Sequence, residues 1–311
     1  MDHPSKPLAP APNPTPTPSY RSPVRAVAWM LVSCAFLSGV AVLGRHAALE
    51  GVAVLQIVLL RLAFAALAMA PMLTLRGTVM LRTAHLRLYL VRVGLGSIGM
   101  ITWFGAIAST PVGEATAIAF LLPLFATLGA ALFLGERVGV RRWVAIGAGF
   151  LGALIILRPG IAPTAPGTWL AMISAVAMAG ASLMIKRLSE RDHPDTVVLI
   201  STLLQVAMAL VPGLWVWQAL STDLWLSCAA MGVCGMLGHI TLARALRAAD
   251  TAVVMGADFA RLPFAVLFGW LLFGELIDLW TWLGAAVIFA AALYAARRGR
   301  DGQAQAKPGA S

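Results

Sequence analysis

The sequence predicts an all-α integral membrane protein in which ten transmembrane helices form two inverted-topology five-helix repeats. Three observations carry that expectation. Of the 311 residues 60% are hydrophobic and only 12% charged, with a mean hydropathy of +0.85, so a water-soluble core would lack the polar chain to cover it. The apolar residues gather into runs of bilayer-spanning length. The two halves of the chain also match each other at one constant offset.

Taken in order, residues 1–25 open with MDHPSKPLAPAPNPTPTPSYRSP, too poor in apolar surface to pack, and are expected to form a disordered cytoplasmic tail. The first apolar run, 26–45, is long enough to span, so it reads as an uncleaved first helix rather than a secretory signal. The others are 54–75, 87–108, 113–134, 141–158, 167–186, 196–218, 224–244, 251–273 and 279–297. Helix breakers punctuate the short links: Gly51, Pro111 with Gly113, Pro159-Gly160, Pro163, Pro166 and Pro194. Residues 26–158 and 167–297 are the two expected repeats, and 298–311 a second cytoplasmic tail.

The formal net charge of +10 does not point to nucleic acid, because the basic residues sit in gaps between apolar runs rather than on one polar face. They sort by side instead. With the N-terminus inside, 19 of the 23 Lys and Arg fall on the cytoplasmic face, Arg92 among them, and only Arg45 and Arg158 fall opposite. That bias places both termini on the cytoplasmic side of the membrane. Cys34, Cys228 and Cys234 have no metal-type spacing and read as small buried apolar residues, so no metal or cofactor is expected.

A shift of 139 residues lays Gly96, Gly99 and Thr102 on Gly235, Gly238 and Thr241. It then lays Phe120 on Phe259, Leu132 on Leu271, Gly135-Glu136 on Gly274-Glu275 and Trp143 on Trp282. Five spans per copy is an odd number, so the second copy is inverted. Such repeats are common in secondary transporters, with a solute site near the midplane where they meet.

On these residues the chain resembles the EamA-type permeases of the drug/metabolite transporter superfamily. Arg61, STPVGEATAIAFLLPLFATLGAALFLGERV at 109–138 and ALRAADTAVVMGADFARLPFAVLFGWLLFGE at 245–275 carry the likeness, which extends over about residues 26–298. The resemblance implies an inner-membrane carrier of amino acids, other metabolites or toxic compounds, with export as its direction and protons as a candidate coupling ion. It also implies the Gly-Glu pair that closes a helix in each copy. It does not choose a substrate.

Charges inside apolar runs cost about 2.5–3.5 kcal/mol each at the bilayer centre, so they face protein or water. Asp258 and Arg261, three residues apart, share a helix face. Two readings are open: a self-neutralising structural pair, or an Arg261 that holds an anionic group of the solute while Asp258 tunes it or takes a proton. The first copy carries Ala119 and Leu122 there, so the scaffold itself does not require the charges. Pro123 and Pro263 each free a carbonyl four residues earlier, either at a cavity or as simple kinks. His239 follows three glycines on one side of the eighth run and is either a proton relay or a neutral packing group. Arg61 has no partner visible in the sequence, and Trp103 either stacks on a solute or packs.

Other classes fit less well. No zinc-protease pattern, phosphate-binding loop or serine elbow is present, so an enzyme is not expected. A channel needs repeated polar rings, which the unequal polar content of the halves does not supply, and a non-transporting, scaffold-like membrane protein leaves the intramembrane charges unexplained. The expectation is a secondary transporter working by alternating access, monomeric or homodimeric, in which two inverted bundles move about a central cavity. Its partners are a small-molecule solute, the lipid bilayer and candidate protons.

Overall fold

The computed structural model describes residues 23–76, 83–133, 140–158, 165–189, 191–192, 194–248, 254 and 257–297. Both tails lie largely outside these residues, as do Gly135-Glu136 and most of 251–256. The described residues hold helices and links. In order they are α1 (Pro23–Leu49), α2 (Val54–Arg76), α3 (Leu86–Ser109), α4 (Val112–Ala119), α5 (Leu122–Phe133) and α6 (Val140–Leu157). There follow α7 (Pro166–Ser189), α8 (Pro194–Trp215), α9 (Thr222–Ala248), α10 (Arg261–Phe273) and α11 (Leu279–Arg297). These fall on the apolar runs. Among the described residues six stretches are long and apolar enough to cross a membrane, α4 and α5 counting together as one, and Val54–Ala68, Trp143–Leu157, Arg261–Phe273 and Leu279–Ala291 are shorter apolar helices.

Three helices begin on a proline, Pro23, Pro166 and Pro194, where the missing N–H has no intrahelical partner to lose and φ is already helical. That preference starts α1 at Pro23, three residues ahead of the first apolar run.

The fourth run is broken. α4 stops at Ala119, Phe120 and Leu121 donate to carbonyls only three residues back, and α5 restarts at Leu122 with Pro123 in its first turn. A 3-10 turn over Asp258–Ala260 precedes α10 and Pro263 in the same way, 139 residues later. Each proline lacks the N–H that would continue the ladder through the break. Both side chains are exposed.

Packing runs between the halves of the chain. α1 packs chiefly on α9, α3 on α7, and α6 on α11. Glycines allow the last contact, since a Cβ on Gly284 would collide with the Gly152 carbonyl and Ile156. Ser33 donates 2.8 Å to the Gly238 carbonyl across the α1–α9 seam, and Ser174 donates 2.7 Å to the Gly99 carbonyl across α3–α7. Thr241 and Thr102 reach the same two carbonyls from within their own helices. The core behind these seams is large and apolar, with Ile57, Phe104, Ile107, Ile118 and Met231 fully buried.

Candidate functional site

Charged side chains converge inside the bundle. On α2, Arg61 directs Nη1 to the Met100 sulfur at 3.2 Å, and its guanidinium carbon lies 6.0 Å from the centre of the Phe104 ring. The Phe104 ring fits because Gly44 of α1 has no side chain there; a Cβ would overlap it. Buried Nε of Arg61 has no hydrogen-bond partner. Arg92 of α3 was counted above with the cytoplasmic charges, but its Nε and Nη1 are buried and unpartnered too. Its stem lies along α3, so the guanidinium enters the bundle beside Gly96, where the Gln205 amide of α8 also arrives.

From α9, the exposed imidazole of His239 lies within electrostatic reach of Arg61, Arg261 and Arg92, which sit on three other helices. His239 is thus flanked by charges on α2, α3 and α10. Gly235, one turn earlier, leaves the space beside Arg61 Nη2 open.

Asp258 and Arg261 form an i,i+3 ion pair, with side chains 20% and 31% exposed. α1 holds both backbones: the Cys34 thiol faces the Asp258 carbonyl at 3.6 Å and the Ser38 hydroxyl donates 3.1 Å to the Arg261 carbonyl. Arg261 thus spends one end of its guanidinium on Asp258, and its Nε is buried without a partner. Trp103 is half-buried against the main apolar core. The structure therefore brings Arg61, His239, Asp258 and Arg261 into one region, joined by Arg92 and Gln205, which the sequence reading did not single out. The length of the Arg92 stem was the signal available.

The remaining carboxylates lie elsewhere. At the end of the bundle carrying the α1–α2 link, called the far end here, Glu275 pairs with Arg45 and accepts from the Val112 N–H at 3.2 Å. Arg45 also donates to the Ile107 and Thr110 carbonyls. Gly274, with φ of 66°, ends α10 in the left-handed conformation and turns Glu275 back toward α4. Beside this pair Arg158 meets Asp278, and the Thr168 hydroxyl donates 2.9 Å to Glu114. Desolvation works against ionisation of Asp278, but bonds from the Thr281 hydroxyl and N–H and from Arg158 outweigh it, holding the carboxyl below its ordinary range. Gln56 and Gln218 close the same end reciprocally, side-chain amide to backbone at 2.9 Å and 3.1 Å. Asp192 lies at the opposite end, taking the Tyr89 and Thr83 hydroxyls at 2.9 Å and 2.7 Å.

A helical bundle of apolar spans, here with guanidiniums gathered in its interior, is the build of a multi-pass membrane protein. The chain belongs to the EamA-like transporter family, whose sequence pattern matches residues 24–158 and again 165–297. Similar proteins include a riboflavin transporter of Vibrio cholerae, 36% identical over 86% of this chain and 91% of that one. A pseudopaline exporter of Pseudomonas aeruginosa is 31% identical over 67% and 74% of the two chains. An S-adenosylmethionine uptake transporter of Rickettsia felis is 23% identical over 77% and 81%. A solved crystal structure shares the fold with a TM-score of 0.62 at 19% identity, covering 90% of this chain and 99% of that one. The protein is a small-solute membrane transporter and not an enzyme.

Proposed function

We infer that the protein is a secondary transporter that moves its solute by alternating access, through ten spans arranged as two inverted five-helix repeats. The observation that carries this reading is the matched pair of seams. Ser33 to Gly238 and Ser174 to Gly99 are the same hydrogen bond at equivalent places, the two acceptors standing 139 residues apart. The recurrent helix breaks at Phe120–Leu121 and Asp258–Ala260 support it, as does the double match to one family pattern. Inverted halves joined in this way can adopt two related arrangements in which their roles exchange, each opening one side.

The basic bias of the loops supports an inner-membrane orientation with both termini in the cytoplasm. The polar network at the far end then closes the outer side. Relatives are named for riboflavin, pseudopaline and S-adenosylmethionine, which makes vitamin-sized and cofactor-sized metabolites the first solutes to try. Export is the proposed direction, supported by the pseudopaline exporter among the relatives. Protons are the proposed coupling ion, with His239 and Asp258 as the titratable interior groups that would carry them.

Proteoliposomes holding the full chain and loaded with riboflavin or another of these metabolites test the reading. Solute should exchange across the bilayer and respond to a pH gradient and to a protonophore. Asp258→Asn and Arg261→Gln should lose exchange while remaining folded. Exchange indifferent to the gradient removes proton coupling, and full activity in both variants removes the pair from the pathway.

A further inference from the structure

The interior is short of negative charge. Arg61, Arg92 and Arg261 gather around His239, and Asp258 is the carboxylate that answers them among the described residues. Glu114, Glu275 and Asp278 are engaged at the far end and Asp192 at the other. Arg261 takes Asp258, which leaves Arg61 and Arg92 without a counter-charge among the described residues and with buried N–H groups unsatisfied. Guanidiniums within a bilayer are costly, and a fold that keeps two of them unpaired has a use for them.

Their positions are coordinated. Nη1 of Arg92 lies beside Gly96, and Nη1 of Arg61 lies against Met100, one helical turn along the same face of α3. The absent side chain at Gly96 keeps Gln205 and Arg92 together, and Phe104 backs Arg61 from the apolar side. Two guanidiniums that meet one face of α3 at positions a turn apart, with an amide and an imidazole near them, suit the oxygens of one compact anionic group.

We propose that the solute of this carrier is a small organic anion whose phosphate or carboxylate is held between Arg61 and Arg92. This rests on the transport reading above and adds the charge of what is transported. Two unmatched positive charges set an order of preference: a phosphate monoester binds better than a monocarboxylate, and a monocarboxylate better than the neutral parent.

The test uses the full chain purified in detergent and solutes that differ in the anionic group. Riboflavin and riboflavin 5′-phosphate form one set; 2-naphthamide, 2-naphthoate and 2-naphthyl phosphate form the other. Binding is read from the shift in unfolding temperature and from calorimetric titration, with inorganic phosphate as competitor. The phosphate member of a set should bind roughly 10- to 100-fold more tightly than its neutral parent. Arg61→Gln and Arg92→Gln should each erase most of that difference, and Arg61→Lys should keep part of it. The unliganded unfolding temperature of each variant reports whether it folds, and Arg92→Gln serves where Arg61→Gln does not. Equal binding of neutral and anionic members, saturable binding of no anion, or a preference that survives both Gln variants overturns the proposal. Transport of neutral riboflavin that is unaltered in Arg61→Gln would overturn it while leaving the transport reading intact.

Discussion

Arg45 and Glu275 meet at the far end of the bundle with side chains only 11% and 14% exposed, although one lies near the end of α1 and the other follows α10. The pair also holds the Ile107 and Thr110 carbonyls and the first N–H of α4, so four chain segments depend on it. Breaking such a pair on one side leaves a buried charge. Glu275→Gln should therefore lower stability by about 3–5 kcal/mol, and the double variant Arg45→Gln/Glu275→Gln should recover a large part of the loss. Thermal unfolding in detergent checks this; a double variant as unstable as the two losses added would show the residues to be uncoupled.

Asp278 gives a pH dependence. Its folded carboxyl is more acidic than in the unfolded chain, since the bonds from Thr281 and Arg158 outweigh desolvation. The contribution is therefore fully present above the ordinary aspartate value, about pH 4, and is lost as pH falls through the lower folded value. Unfolding temperature measured from pH 6 down to pH 3 should decline, and Asp278→Asn should be less stable at pH 6 with a shallower decline. An unchanged slope in the variant would assign the acid sensitivity to other groups.

Gly44 is expected to be intolerant of even a methyl group. A Cβ there overlaps the fully buried Phe104 ring, and the Ile107 side chain lies 3.3 Å away, so the ring has to shift from beneath Arg61. Gly44→Ala should cost about 1–3 kcal/mol through overpacking. It should also weaken solute binding by more than Gly39→Ala, where the added methyl meets the Cys234 sulfur at an ordinary 3.8 Å. Equal effects of the two substitutions on binding would separate Phe104 from the solute site.

Much of the fold could be read in the chain because lipid imposes simple rules. Apolar runs had to be helices, and apart from the broken fourth run and the start of α10 at Arg261 the helices lie on those runs to within a few residues. The 139-residue offset was visible because the glycines and threonines it matches are the seam residues themselves: Gly99 and Gly238 present the carbonyls, and Thr102 and Thr241 sit one turn on. Asp258, Arg261, His239 and Arg61 stood out as polar groups inside apolar runs, and they do lie near one another. Arg92 was hidden, since position along a helix says where a Cα lies and not where a long side chain ends. Arg45 was hidden for a related reason. It sits at a helix end, where an interfacial role is the simplest reading, while its partner Glu275 is fixed only by the turn at Gly274 and the packing of α1 against α10. The break in the fourth run was foreshadowed by Pro123, but its length depends on the three-residue hydrogen bonds at Phe120 and Leu121, which follow from packing.

The α1–α9 seam sets a timetable for synthesis. Ser33 and its acceptor Gly238 are 205 residues apart, and α1 has no comparably extensive partner before α9. At translation rates of about 5–20 residues per second, α1 waits roughly 10–40 s in the membrane before that partner leaves the ribosome. Ser174, by contrast, follows its acceptor Gly99 by only 75 residues. The α3–α7 seam can therefore close while α1, with the Ser33 and Ser38 hydroxyls, still needs the insertion machinery or a neighbouring helix to shield it from lipid.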